Sequence, residues 1–238
     1  MSVLRALVAL ALMGFGSYYL YKLLELPQSQ VLGPTVTQGS EARRAVALTY
    51  DDGPSARDTD GILAILRAHH AHATFFVNGI AAETAPQTLV RMHADGNEIE
   101  NHGWDHGHLE ALLTTAQIDV QLARTDAAIA RATGSHTRYL RPPFGLRNRA
   151  VIDEAEKRGY TTIMWTGHLA GDWDPIAPAT IAERVLANAR NGAILVMHDG
   201  DRGRGGDRRN VVAATESVVR ELQARGFRLE TLADLLHA

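Results

Sequence analysis

The sequence predicts one α/β domain built on a parallel sheet or barrel, and three observations carry that expectation. From Ala45 onward, short β-rich runs alternate with amphipathic stretches, with no repeat or low-complexity segment between them. The 238 residues, 45% apolar and 21% charged, suit a single large domain. Residues able to do chemistry recur just where the apolar runs end, and in parallel α/β folds that is the functional rim.

The candidate strands are 45–50, 72–77, 98–101, 139–141, 161–165, 193–197 and 227–229. Between them, apolar residues at helical spacing predict helices over 58–69, 86–95, 115–133, 148–158, 178–190 and 210–225. Strand and helix alternating this often imply parallel pairing with helical crossovers.

Ahead of this domain, residues 6–21 carry no charge and are bracketed by Arg5 and Lys22, with Tyr18, Tyr19 and Tyr21 near the far end. Such a run is an export or anchoring segment. Residues 1–26 are therefore expected to be a signal-anchor or signal peptide contacting the membrane through residues 3–26, with Lys22 snorkelling and Glu25 at the headgroups. Gly14-Phe15-Gly16 is a poor cleavage site, so an uncleaved anchor is favoured over secretion after cleavage. Residues 27–42, rich in Pro, Gln, Gly, Ser and Thr, are expected to be a flexible tether, and 43–238 the catalytic domain.

A net charge of −3 and the lack of a basic stripe argue against nucleic acid as a partner. The absence of cysteine restricts any metal to His, Asp and Glu. The first strand ends in Thr49-Tyr50-Asp51-Asp52-Gly53-Pro54. Gly53 is expected to supply unusual backbone angles and Pro54 to stop the strand, presenting both carboxylates at its end. Two adjacent carboxylates are most simply accommodated if one binds a cation and the other handles a proton. Alone, the hexapeptide is also an ordinary surface turn.

The third strand runs into Asn101-His102-Gly103-Trp104-Asp105-His106, where two imidazoles four apart can reach one ion, although such a pair also arises by chance. His108 is out of register with them. Arg141 precedes Pro142-Pro143, which fixes the backbone and suits a guanidinium held against a carboxylate; a surface arginine beside a turn is the alternative. The apolar sixth strand delivers His198, which is otherwise a core histidine satisfied by a carbonyl. The loop 200–207 is too Gly-rich to pack, and is either a lip contacting polymer or a solvated loop.

Together these residues resemble the polysaccharide deacetylases, the NodB-homology group of carbohydrate esterase family four, from about Ala45 to the carboxyl terminus. The T-[FY]-D-D-G-P motif is matched by 49–54, H-x-x-x-H by His102 and His106, R-x-P-[FY] by Arg141 to Phe144, and the histidine-terminated strand by Leu195 to His198. Gly103 stands where Ser or Thr is usual. In the D-x-x-D-W motif only Asp172-Trp173 matches, with Leu169 at the first Asp position and His168 beside it.

The resemblance implies a distorted (β/α)7-type barrel and a divalent metal on Asp52, His102 and His106, zinc in the first place, with cobalt, nickel or manganese as alternatives. It implies Asp51 as general base oriented by Arg141, and His198 as general acid supported by Asp172. On the substrate side the backbone N–H of Tyr50 or a neighbour is a candidate for the oxyanion. Trp173, Trp104 and Val196 are candidates for a wall around an acetyl methyl, with plain core packing as the alternative, and Phe144 joins the substrate-binding residues. The expected activity is N-deacetylation of an envelope polysaccharide (peptidoglycan, chitin-like or poly-N-acetylglucosamine) outside the cytoplasm. O-deacetylation of a glycan such as xylan, or carbohydrate binding without turnover, are the alternatives.

Overall fold

The strand that everything else is hung on is β1, Ala45–Asp51, every residue of which is buried. In the computed structural model, which describes residues 2–107 and 113–237, β1 pairs in parallel with three others. These are β2 (Thr74–Val77), β6 (Ile194–His198) and β7 (Arg228–Glu230). Burial on both faces explains why β1 is an unbroken apolar run rather than an alternating one. The sheet continues outward from β2 through β3 (Glu98–Asn101) and β4 (Tyr139–Leu140) to β5 (Thr161–Thr162), giving the order β5-β4-β3-β2-β1-β6 with β7 also on β1. All pairings are parallel, and the sheet is a curled, incomplete barrel.

Side chains alternate across β1. Val46, Leu48 and Tyr50 join the large core beneath the helices, whereas Ala45 and Ala47 join an inner cluster with Phe76, Ile163, Leu232 and Leu235. The last two belong to α9 (Leu232–Leu236), a short helix not expected from the sequence, which plugs the sheet at the end opposite the site. The inner face of β1 then continues as Thr49 and Asp51, toward the open end.

The remaining helices are α1 (Ser2–Glu25), α2 (Asp58–Ala68), α3 (Gly79–Thr84), α4 (Pro86–Ala94), α5 (Thr115–Thr133), α6 (Arg149–Lys157), α7 (Pro178–Leu186) and α8 (Arg209–Ala224). The bounds of α5 are those expected, because its stops are chemical. Thr114 and Gln117 form a reciprocal capping box, and Gly134 ends the helix in the left-handed conformation. The helix α3 is a further addition to the expected elements; it is short and starts on a glycine. Gly79 is needed because a Cβ there would meet the Trp104 ring at 2.2 Å.

Two expectations about the amino-terminal region change. Among the described residues, no helix is long and apolar enough to cross a membrane. The helix α1 does form, but the uncharged run stops at Lys22 and its second half carries Gly, Ser and Tyr. The tether expected over 27–42 is built into the fold. Val36 bridges Ile163 in parallel and Gln38 bridges Ala193 antiparallel, so this segment lies across the gap between β5 and β6. Its anchors include Val36 N–H to the Thr162 carbonyl at 2.9 Å, and the Arg147 guanidinium to the carbonyls of Leu26 and Ser29 at 2.7 and 3.0 Å. A bare sheet edge needs hydrogen-bond partners, and a polar segment without periodicity can supply them. The fifth strand is shorter than expected: the Ile163 N–H still donates to the Leu140 carbonyl of β4, but the Met164 N–H goes to the Val36 carbonyl of this segment.

Candidate metal centre and active site

Strand alternation would send the side chains of adjacent Asp51 and Asp52 to opposite faces, yet both line one cavity of about 610 Å³ at the carboxyl end of the sheet. The strand ends at Asp51, and Asp52 takes a left-handed backbone with φ 73°, which redirects its carboxylate. That conformation is sterically unfavourable for a residue bearing a Cβ, and such strain collects at functional positions. The unusual angle was expected at Gly53 and falls instead on Asp52. Gly53 is required for space: a Cβ there would lie 2.1 Å from Asp199 Oδ2. Asp199 is buried beneath the loop, accepts a hydrogen bond from the Thr59 hydroxyl, and is pushed up to about 7 by burial.

Asp52, His102 and His106 converge with one ligand atom each, all within 4.8 Å of one another. Asp52 Oδ1 lies 3.0 Å from His106 Nε2 and 3.6 Å from His102 Nε2. The His102 ring donates from Nδ1 to the Arg141 carbonyl at 2.6 Å, so its Nε2 lone pair faces the carboxylate. His106 is held with φ 53°, again a strained backbone at a candidate ligand position. Burial lowers His102 to about 3 and His106 to about 2, so both imidazoles are neutral near pH 7, the form a metal needs. Burial also lifts Asp52 to about 6, and its Oδ1 has no hydrogen-bond partner among the described residues. An orphaned buried carboxylate oxygen facing two neutral imidazoles is what a divalent ion would satisfy, and the donor set fits one.

Asp51 accepts a hydrogen bond from Arg141 Nη1 at 2.7 Å. Arg141 is fully buried; it also donates to Thr49 Oγ1 at 2.8 Å and the Met164 carbonyl at 3.1 Å, and its guanidinium lies 4.1 Å above the Phe76 ring. A buried cation needs this much satisfaction. On the other side of the cavity, the Asp172 carboxylate accepts from both the backbone N–H of His198, at 2.7 Å, and ring Nδ1, at 3.0 Å. His198 Nε2 is thereby left for the cavity. Burial opposes a charged imidazole here, but Asp172, with help from Asp52 and Asp51, outweighs it and raises His198 to about 9. Burial likewise works against the Asp172 carboxylate, and the facing imidazolium holds it below the usual range.

The structure thus brings all seven expected catalytic and metal residues into one site, while the substrate side differs. Phe144 and Trp173 line the cavity, Phe144 edge-on to His106 at 4.3 Å and Trp173 edge-on to His198 at 5.5 Å. The Tyr50 side chain does not; by strand alternation it points into the outer core, stacked on Phe75 with its hydroxyl 3.0 Å from Thr215 Oγ1. Val196 is packed behind the wall with Met164, Trp165 and Leu169, and Trp104 is core, covered by the Arg124 guanidinium. The cavity wall includes Trp165 and Leu169 instead. Trp165 follows the fifth strand, so the strand-end rule that found the histidines would have found it. His168 is exposed, with its N–H on Asn188, and so does not stand in for the missing motif carboxylate. Asp201 and Arg202, from the Gly-rich loop, and Arg208, just ahead of α8, also line the cavity. His108 lies outside the described residues.

The polysaccharide deacetylase family model matches residues 38–163, more than half of the chain. The chain belongs to the polysaccharide deacetylase family. It is 32% identical over 207 residues to the peptidoglycan-N-acetylglucosamine deacetylase PgdA of Listeria monocytogenes, covering 87% of this chain. It is 29% identical over 215 residues to the peptidoglycan-N-acetylmuramic acid deacetylase PdaC of Bacillus subtilis, covering 90%. The chain spans 42% of the length of each of these relatives. The crystal structure of the Bc1960 peptidoglycan N-acetylglucosamine deacetylase superposes with a TM-score of 0.79 at 28% identity, over 85% of this chain and 92% of that one.

Proposed function

We propose that the protein removes N-acetyl groups from an N-acetylated cell-envelope polysaccharide, peptidoglycan before chitin-like or poly-N-acetylglucosamine chains, and releases acetate. The observation that carries this reading is the pairing of two differently supported proton-transfer groups across one metal-ligand triad: Asp51 on Arg141, and His198 on Asp172. A divalent ion on Asp52, His102 and His106, zinc before cobalt, nickel or manganese, would polarise the acetyl carbonyl and acidify the attacking water.

Asp51, oriented by Arg141, takes the proton of that water. His198, protonated near pH 7 and held by Asp172, donates to the departing sugar nitrogen. Trp165, Leu169 and Phe144 supply an apolar wall for the acetyl methyl. Relatives named as peptidoglycan deacetylases favour an amide substrate over acetylated xylan. A non-catalytic role is disfavoured because the whole constellation is intact. We further propose that α1 holds the domain at a membrane surface outside the cytoplasm, since its apolar side chains, such as Leu10, Leu12 and Phe15, are more than half exposed.

The two carboxylates give the test. Asp52→Asn replaces an anionic ligand by a neutral amide, so zinc content should fall together with acetate release. Asp51→Asn leaves all three ligands, so zinc should stay while turnover on peptidoglycan falls by about 10²–10⁴-fold. Metal analysis beside acetate release measures both, and zinc lost equally from the two variants would overturn the division of labour.

A further inference from the structure

Two of the three candidate metal ligands sit on a segment with no secondary structure of its own. Residues 102–106 form neither helix nor strand, and two of them, Gly103 with φ 76° and His106 with φ 53°, have a left-handed backbone. A helix would fix two imidazoles four residues apart through its own hydrogen bonds. A loop has to be fixed from outside, or each ion that binds must first order it. Gly103 stands where Ser or Thr is usual, and it has no side chain with which to anchor the loop.

The anchoring comes from Asn101, the last residue of β3, and from α5. Asn101 and Thr125 are both fully buried, and neither lines the cavity. The Asn101 carboxamide donates from Nδ2 to the Asp126 carboxylate at 2.8 Å and to the Leu122 carbonyl at 3.0 Å, both on α5. With both donor hydrogens so engaged, Oδ1 is the atom that meets the Gly103 N–H, at 2.8 Å. The Gly103 carbonyl accepts from the Thr125 hydroxyl at 2.8 Å and from the Gly79 N–H at 3.0 Å. Gly103 is thus gripped at both of its polar atoms. Asp126 cannot swing away, because its carboxylate also accepts from the hydroxyls of Thr137, at 2.6 Å, and Tyr160. The helix that carries these groups is itself stopped at both ends, by the capping box at Thr114 and by Gly134.

We infer that Asn101 and Thr125 are positioning residues for the metal: they clamp the two peptide groups of Gly103 to α5 and so hold His102 and His106 at the spacing one ion requires. The inference rests on the metal-centre reading above and adds to it two residues outside the cavity. Gly103 follows one ligand directly and precedes the other by three residues, so a shift of its peptide groups moves both rings. A loosened loop keeps its ligands but must be ordered when the ion binds, and metal affinity falls while the ligand set stays complete.

The experiment measures zinc dissociation constants of the full-length protein by competition with a chromophoric chelator, beside the thermal midpoint of the zinc-free form. The proteins are the wild type, Asn101→Ala, Thr125→Val, Thr125→Ser and, as a control for general loss of stability, Val36→Pro at the far seam. The zinc Kd should rise about 10- to 100-fold in Asn101→Ala, the usual cost of losing a group that orients a ligand. Thr125→Val keeps the shape, removes the hydroxyl and leaves the Gly103 carbonyl its bond from Gly79, so its Kd should rise by about 2- to 10-fold, as for one lost hydrogen bond. Thr125→Ser, which keeps the hydroxyl, should bind zinc nearly as the wild type does, and Val36→Pro should lower the midpoint without changing Kd. If Asn101→Ala does not fold, the Thr125 pair decides alone. An unchanged Kd in Thr125→Val, no recovery in Thr125→Ser, or an equal rise in Val36→Pro overturns the inference. A wild type that binds zinc but releases no acetate overturns the deacetylase reading and leaves the clamp to be judged on the affinities. A wild type that binds no zinc removes the metal centre and the clamp with it.

Discussion

One backbone angle at Asp52 brings two adjacent carboxylates to face the same cavity, where the proposal gives one the part of ligand and the other that of base. Across the cavity, the chemistry of His198 is set by a competition. Burial disfavours the imidazolium, and the Asp172 carboxylate at 3.0 Å wins, so the folded value of about 9 lies above the ordinary 6.5. The proton-donating form is therefore present below about pH 9 and is lost as pH rises through it. Asp172→Asn removes the winning interaction and leaves burial unopposed, so the alkaline limb of the kcat profile should move toward lower pH, by roughly 2 on the pH scale. A pH–rate profile of the two proteins checks this, and a limb that stays in place would show that His198 is not the acid.

Among the described elements, β1 carries the site because it alone pairs with three other strands, and its inner face runs from the α9 plug to Asp51. The least regular element has a comparable structural share. Residues 36–39 bond to β5 and to the start of β6, where the sheet would otherwise leave an open seam. Val36→Pro deletes the N–H that meets the Thr162 carbonyl and leaves that buried oxygen unpaired. The expected loss is about 1–3 kcal/mol, seen as a lower thermal midpoint with the zinc stoichiometry retained. A free tether would tolerate proline there, so an unchanged midpoint would show that the seam contributes nothing.

For the whole molecule, a curled sheet buries its inner face under α9 at one end and opens at the other, so charged groups crowd at the mouth, where ligand and solvent reach them. The helix α1 stands apart from this core, with Leu7, Leu10, Met13 and Leu20 each more than half exposed. If α1 holds the domain at a membrane, the full-length protein should sediment with membranes and need detergent for release. Recovery of the intact chain in the high-speed supernatant would remove the anchoring proposal.

Sequence by itself determined the alternation of strands and helices, the helix α5 to the residue, and six of the seven residues that meet at the site, Asp172 being named only through the resemblance to a family motif. These are local matters: apolar runs end where polar chemistry begins, capping residues stop helices, and parallel pairing gathers the strand ends at one rim. Tertiary structure alone decided what depends on distant packing. Val196 sits in the right stretch yet lies behind the wall, because Met164, Trp165 and Leu169, brought from the segment that follows β5, cover it. The segment 27–42 lacks periodicity and so has the composition of a tether, but its hydrogen-bond partners lie more than a hundred residues away, at Thr162 and Gly192. Arg202 is hidden in a Gly-rich loop for the same reason: the loop has no pattern of its own, and its N–H bond to the Asp52 carbonyl, formed only in the folded chain, ties the guanidinium to the cavity.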